Sequence, residues 1–172
     1  MRKSLLPADP LTPAEHMRQG TVYEGQGELS EAWREYGAAL REDRAFLPAV
    51  IALGNLAFAR ADLIEAEIYY RKALKLDSEQ PSANNNLAVV YLTRGSRLET
   101  AQKLAETALK KAGALRPYVL DTLANVYMRE GRYKDAKAAL DQAEVASGVE
   151  NPALKRHLLE SRRHLDSYTA LR

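Results

Sequence analysis

The sequence predicts an all-α chain built from stacked helix pairs. Three observations predict it. Alanines seven residues apart recur as Ala32/Ala39, Ala66/Ala73, Ala101/Ala108 and Ala136/Ala143, with first members 34, 35 and 35 residues apart. Apolar residues fall at helical spacing around each pair, as Val50, Leu53, Leu56 and Ala57 do ahead of Ala66. Pro13, Pro48, Pro81, Pro117 and Pro152 punctuate the chain at the starts of helical stretches, where a missing N–H is harmless.

Taken in order, Met1 to Thr12 has two prolines and no period, and reads as a flexible lead-in. Arg2 and Lys3 are not followed by the apolar run of an intact signal peptide. Helices are expected over 14–26, 30–43, 47–60, 63–76, 81–94, 98–112, 117–130 and 133–146. Ser30 and Asn151 are the expected N-caps of the second and last helices. A ninth helix, 152–168, carries an apolar stripe of Leu154, Leu158, Leu165 and Tyr168 with Ser161 in its gap. Lys155, Arg156, Arg162 and Arg163 lie outside the stripe. One apolar and one charged face suit a helix that closes the end of a repeat array. The rival reading is a basic amphipathic helix that lies on a membrane or docks a partner.

Each helix pair follows one pattern. A small residue comes first (Gly20, Gly54, Ala88, Ala124), then Tyr23, Ala57, Tyr91 or Tyr127 three residues on. A turn residue follows (Gly27, Ala61, Gly95, Gly131), then a bulky one (Leu29, Leu63, Leu98, Tyr133), then the alanine pair. Gly54 interrupts a good helix former at a cost of about 1 kcal/mol, which points to a second helix packed closely against it. Leu63, Tyr70 and Leu74 fill the space around Ala66 and Ala73.

The pattern resembles the tetratricopeptide repeat, a helix–turn–helix unit of about 34 residues, over roughly Pro13 to Gly148. The resemblance implies four repeats, at about 13–46, 47–80, 81–116 and 117–148, with a capping helix in 149–172. It also implies a right-handed superhelix with a concave inner face. Departures from the pattern are local. His16 and Gln19 replace apolar residues, Ala105 and Leu140 replace the second-helix aromatic, and Glu144 replaces a leucine. One extra residue enters near Ser96–Arg97 and another near Gly113–Leu115.

Composition narrows the classes. The chain has 172 residues, 25 basic and 23 acidic, so its net charge of +2 points to no charged polymer. Without cysteine there is no disulfide framework, thiolate nucleophile or thiolate metal site. No apolar run reaches transmembrane length. The compartment is left open between cytoplasm and periplasm, with a lipid anchor conceivable if a cysteine lies upstream. Lys103, Lys110, Lys111 and Arg116 are interspersed with Glu99 and Glu106, which reads as a solvated outer face and not a phosphate track. His157, Glu160 and His164 share a helical face, but the histidines are two turns, about 10.5 Å, apart along the axis, too far for one ion, so the face reads as solvated. No phosphate-binding, dinucleotide, zinc-protease or nucleophile-elbow motif occurs. The expectation is no catalysis, no cofactor, no metal and no nucleic acid.

The concave face remains. Carrying over the family's inward positions gives Met17, Thr21 and Glu24, then Ile51, Asn55 and Phe58. It continues with Asn85, Val89 and Leu92, then Tyr118, Asp121, Asn125, Met128 and Arg129. Phe58, Leu92 and Met128 are equivalent and would form an apolar strip; Asn55 and Asn125 are equivalent amides. Apolar surface beside amides suits an extended segment or an amphipathic helix of a protein partner. The competing reading has the asparagines bracing helices. Chaperone-tail-binding members clamp a C-terminal carboxylate with basic residues, but Met17, Thr21, Tyr118 and Thr122 stand where those would be. No strong carboxylate clamp is expected, although Arg129 can receive an acid. The expected function is a protein-binding adaptor; self-association, as a monomer or weak homodimer, and regulation of a separate enzyme are the alternatives. The run RPYVLDTLANVYMREGRYKDA is similar to repeats of bacterial envelope lipoproteins of this family that serve pilus or exopolysaccharide assembly.

Overall fold

In the computed structural model, residues 11–148 and 151–170 are described. Most of the expected lead-in, residues 1–10, lies outside them. The described residues form α1 (Pro13–Gly25), α2 (Leu29–Glu42), α3 (Leu47–Ala59), α4 (Leu63–Leu76), α5 (Pro81–Thr93), α6 (Leu98–Lys110), α7 (Arg116–Arg129), α8 (Tyr133–Ser147) and α9 (Pro152–Ala170). There is no strand among the described residues, and no helix among them is long and apolar enough to cross a membrane. The chain divides into two compact units, Met1–Lys72 and Ala73–Arg172, so the division falls inside α4.

The prolines sit in the first turn of α1, α3, α5 and α7. Thr12 caps α1 by accepting from Glu15 N, and the Glu15 carboxylate accepts from Thr12 N at 2.8 Å. This exchange holds the Glu15 carboxyl below its ordinary value. Asn151 caps α9 by accepting from Leu154 N at 3.0 Å. Ser30 does not cap α2, which starts one residue earlier at Leu29. The preceding turn causes the shift: Gly27 N–H bonds to Glu24 O and Glu28 N–H bonds to Tyr23 O, so the chain is already turned into the helix at Glu28.

That turn recurs within each pair. Asp62 N–H bonds to Ala57 O, Ser96 N–H to Tyr91 O and Arg132 N–H to Tyr127 O, each beside a left-handed residue. The bonds satisfy carbonyls that the ending helix leaves unpaired. Three of the four left-handed positions are glycine; Ala61 adopts φ 59° with a side chain in place. Both extra residues are absorbed between helices. Arg97 takes a left-handed conformation (φ 54°) before α6, and Gly113–Leu115 form a 3₁₀ turn before α7.

Buried clusters occur within both units. In the first, Gly20 and Gly54 exist to admit tyrosines. A Cβ on Gly20 would lie 2.3 Å from Tyr36 Cε1, and one on Gly54 would lie 2.7 Å from Tyr70 Cε1. Both rings are buried, with their hydroxyls donating to Glu24 Oε2 (2.6 Å) and Asn55 Oδ1 (2.9 Å). Burial, then the Glu24 carboxylate, pushes the Tyr36 phenol up to about 12. In the second unit the equivalent small residues are Ala88 and Ala124, and the residues sixteen or seventeen on are Ala105 and Leu140. The Cβ that glycine lacks is thus balanced by a smaller partner, which explains the missing aromatics. His16 also has a reason: it is buried, and its Nδ1 lies 2.8 Å from Glu35 Oε2. The alanine pairs are fully buried, as close helix packing requires.

α9 buries Leu154, Leu158 and Leu165 against Leu120, Ala124, Leu140 and Ala143, with Tyr133 stacked on Tyr168 at 5.7 Å. The apolar stripe therefore covers α7 and α8 as a cap. Arg162, expected outside the stripe, reaches back to α8 and donates to Asp141 Oδ1 (2.6 Å) and Glu144 Oε1 (2.8 Å).

Candidate functional site

A cavity of about 440 Å³ opens on the second unit between α5, α7 and α9. Helical periodicity brings its residues together. Asn85, Val89 and Leu92 lie on one face of α5; Tyr118, Asp121, Asn125, Met128 and Arg129 lie on one face of α7. These eight residues are the second-unit members of the expected groove. Thr93 and Thr122 also line the cavity. The threonine hydroxyls are spent locally, on Val89 O (2.9 Å) and Tyr118 O (3.1 Å).

The chemistry centres on Asp121, which is only 6% exposed although it is a carboxylate. Its Oδ2 accepts from Asn125 Nδ2 at 3.1 Å and from His157 Nε2 at 2.9 Å. Asn125 Nδ2 also donates to Asp121 O at 2.8 Å. The other carboxylate oxygen, Asp121 Oδ1, is buried without a partner, and so is Asn85 Oδ1. Asn85 Nδ2 donates to Asn86 Oδ1 at 3.4 Å. Tyr118 is 40% exposed at the rim, where its hydroxyl accepts from Asn151 Nδ2 at 3.4 Å. Val89 and Leu92 are half-buried, and Arg129 is exposed.

Two sequence expectations change here. Met128 is buried in the core formed with α8 and α9, so it floors the cavity and is no exposed member of an apolar strip. His157 and His164 do not form a merely solvated face. His157 is bonded to Asp121, and the His164 ring lies 4.9 Å from Tyr168; all three α9 side chains line the cavity. Spacings of seven and four residues along α9 place 157, 164 and 168 on one stripe, and that stripe borders the apolar one. This adjacency was the available signal.

In the first unit, Met17 packs half-buried on the core of that unit. Thr21 is exposed, with its hydroxyl donating to Met17 O at 2.9 Å. Ile51 and Phe58 are half-buried, while Asn55 is exposed and accepts from Tyr70. Asn55 and Asn125 thus both brace their own surroundings. Asn84, which lay outside the expected set, is a fully structural amide: it is buried and donates to Ser78 O and Gln80 O.

Two of the four expected outer-face cations are paired with carboxylates. Lys103 pairs with Glu99 and Lys111 with Glu79, each at 2.6 Å. Among the described residues, no group of three His, Cys, Asp or Glu side chains is placed to hold a metal ion.

A family model described as tetratricopeptide repeat matches residues 47–80 and 118–144. Similar curated proteins include Photosystem I assembly protein Ycf3 of Rippkaea orientalis, 31% identical over 104 residues, 56% of this chain and 59% of that one. Protein STIP1 homolog of Dictyostelium discoideum is 33% identical over 97 residues, 53% of this chain and 17% of that protein. The chain therefore spans less than two thirds of either relative. A solved structure described as functional characterization of Pseudomonas aeruginosa pilF superposes with TM-score 0.71 at 23% identity, covering 93% of this chain and 74% of that one. A thermophilic TPR protein of Thermus thermophilus superposes with TM-score 0.72 at 16% identity, covering 89% of this chain and 82% of that one. These likenesses show the fold.

Proposed function

We propose that this chain, which belongs to the tetratricopeptide-repeat family, is a non-catalytic adaptor that holds a segment of a protein partner in the α5–α7–α9 cavity. The observation that carries the reading is the cavity itself. It joins half-buried apolar side chains, Val89 and Leu92, to an exposed aromatic, Tyr118, around a buried carboxylate with an unused oxygen. Such sites bind through an apolar contact and are made selective by a few polar groups. Among the described residues lining the cavity no nucleophile bonds to a base: the Thr93 and Thr122 hydroxyls donate to their own helix carbonyls, and His157 Nε2 bonds to Asp121. The pairing of Lys103 and Lys111 with carboxylates speaks against a nucleic-acid partner.

The setting we propose is assembly of a larger complex, in a bacterial envelope, pilus or secretion machine. Its support is the similarity of the 116–136 run to envelope lipoprotein repeats and the superposition on pilF.

The test is capture of partners from native lysate on immobilised chain, with Leu92→Asp as the cavity variant and Ile64→Asp, on an exposed position of α4, as the control. A protein retained by wild type and by the control but lost with Leu92→Asp is the expected result. Equal retention by all three proteins would remove the cavity from the interface.

A further inference from the structure

Resting on that reading, we propose that the cavity takes an arginine side chain of the partner, with Asp121 Oδ1 and Asn85 Oδ1 as its acceptors. Both oxygens are buried and lack a partner among the described residues. Buried polar atoms in folded chains are almost always bonded, so two orphans on residues that line one cavity call for a donor. Neither residue can serve a donor with its remaining groups. The Asn85 amide nitrogen is turned to Asn86, and Asp121 Oδ2 already accepts twice.

The group that fits is all donor and no acceptor. A guanidinium has five N–H groups in a planar fork and accepts nothing, so it can serve acceptors on two helices, α5 and α7, at once. Its methylene stem needs apolar walls, which Val89 and Leu92 provide, and its plane can lie on the Tyr118 ring. The charge sense is set by burial. Asp121 is the single carboxylate among the described lining residues and is buried, whereas Arg129 and both histidines are exposed, and His157 is spent on the other oxygen, Asp121 Oδ2. Arg129 cannot itself supply the donor in place: it lies eight residues along α7, about 12 Å by helical rise. The polarity is opposite to that of a carboxylate clamp, whose basic positions hold other residue types in this chain.

The experiment is selection from a random twelve-residue peptide phage library against the whole chain. It continues with amide chemical shifts of the chain on adding the enriched synthetic peptide, and with affinities of its arginine→citrulline and arginine→lysine forms. Citrulline keeps the shape and removes the charge. Enriched peptides should share an arginine and shift Asn85, Val89, Asp121 and Asn125. The citrulline form should bind about tenfold weaker or worse, as expected for a charge-assisted bond. On Asp121→Asn the citrulline penalty should shrink to about twofold or less. The citrulline change sits on the peptide, so it reads the contact even if Asp121→Asn fails to fold. Peptides that shift the same residues without arginine, or that tolerate citrulline, overturn the arginine and leave the groove standing. Preference for lysine, or for an acidic peptide, overturns it equally. Peptides that shift only other surfaces, or no enrichment at all, overturn the groove as well.

Discussion

Substituting Gly54 by alanine tests the packing rule that runs through both units. Alanine is the better helix former by about 1 kcal/mol, so on propensity alone Gly54→Ala should stabilise the chain. The structure predicts the reverse. The new Cβ would lie 2.7 Å from Tyr70 Cε1 and 2.9 Å from Cδ1. The ring, 1% exposed, would have to retreat roughly 1 Å to reach ordinary contact. Overpacking of that kind costs about 2 kcal/mol. The retreat also stretches the 2.9 Å Tyr70–Asn55 hydrogen bond beyond useful length, at about 1 kcal/mol more. Net of propensity, the loss is about 2 kcal/mol.

The equivalent positions in α7 and α8 supply the control, because Ala124 is followed sixteen residues later by Leu140 and not by tyrosine. In a Tyr70→Leu background, Gly54→Ala should therefore become neutral or stabilising by up to about 1 kcal/mol. The assay is urea unfolding of the four proteins of the cycle, followed by far-ultraviolet circular dichroism. A stabilising Gly54→Ala in the Tyr70 protein, or equal effects in both backgrounds, would refute the reasoning.

Three further outcomes follow from the same structure. Ala61→Gly should stabilise by about 0.5–1 kcal/mol, since only glycine holds the left-handed turn conformation (φ 59°) without strain; loss of stability in urea would contradict this. Leu158→Ala, in the core shared by α7, α8 and α9, should cost about 2–5 kcal/mol. It should raise hydrogen exchange in α9 before other helices, and an unchanged α9 would argue against its role as a cap. Hydrogen bonds from Lys137 and then Arg162 hold the Asp141 carboxyl below its ordinary 3.8. A depressed carboxyl stabilises the fold above the unfolded value, and that contribution fades as pH falls through the folded one. Asp141→Asn should therefore flatten the fall in melting temperature between about pH 5 and pH 3, and an unchanged slope would exclude the carboxylate as a source.

The fold was legible because one pattern is written several times with compensating changes. A lone Gly54 or Tyr70 says little; Gly20 with Tyr36, Gly54 with Tyr70 and Ala124 with Leu140 together state a volume rule. The insertions were equally visible, the first as a longer step from Gly95 to Leu98 and the second as a longer step from Ala108 to Ala124, and the structure houses them at Arg97 and in the 3₁₀ turn. Ser30 misled because hydroxyl-before-helix is a local signal, and the Glu28–Tyr23 bond of the preceding turn outranks it. The cavity was half legible. Periodicity on α5 and α7 selects a face, but it does not tell which member of that face the next helix covers. Met128 is covered by the α8–α9 core, and α9 brings in His157, which no pattern within one repeat could reveal. Nor does sequence show how a side chain's atoms are used: Asn125 looks like a free amide and is tied to Asp121.

The central claim is that the face formed by α5, α7 and α9 holds the partner. Hydrogen exchange of the chain alone and saturated with the captured partner tests it most directly. The account predicts new protection in 85–93, 118–129 and 157–168, with the exposed positions Ile64, Ile68 and Val145 on α4 and α8 unchanged. Protection confined to α4, α6 or α8, with α5, α7 and α9 exchanging as in the free chain, would contradict it.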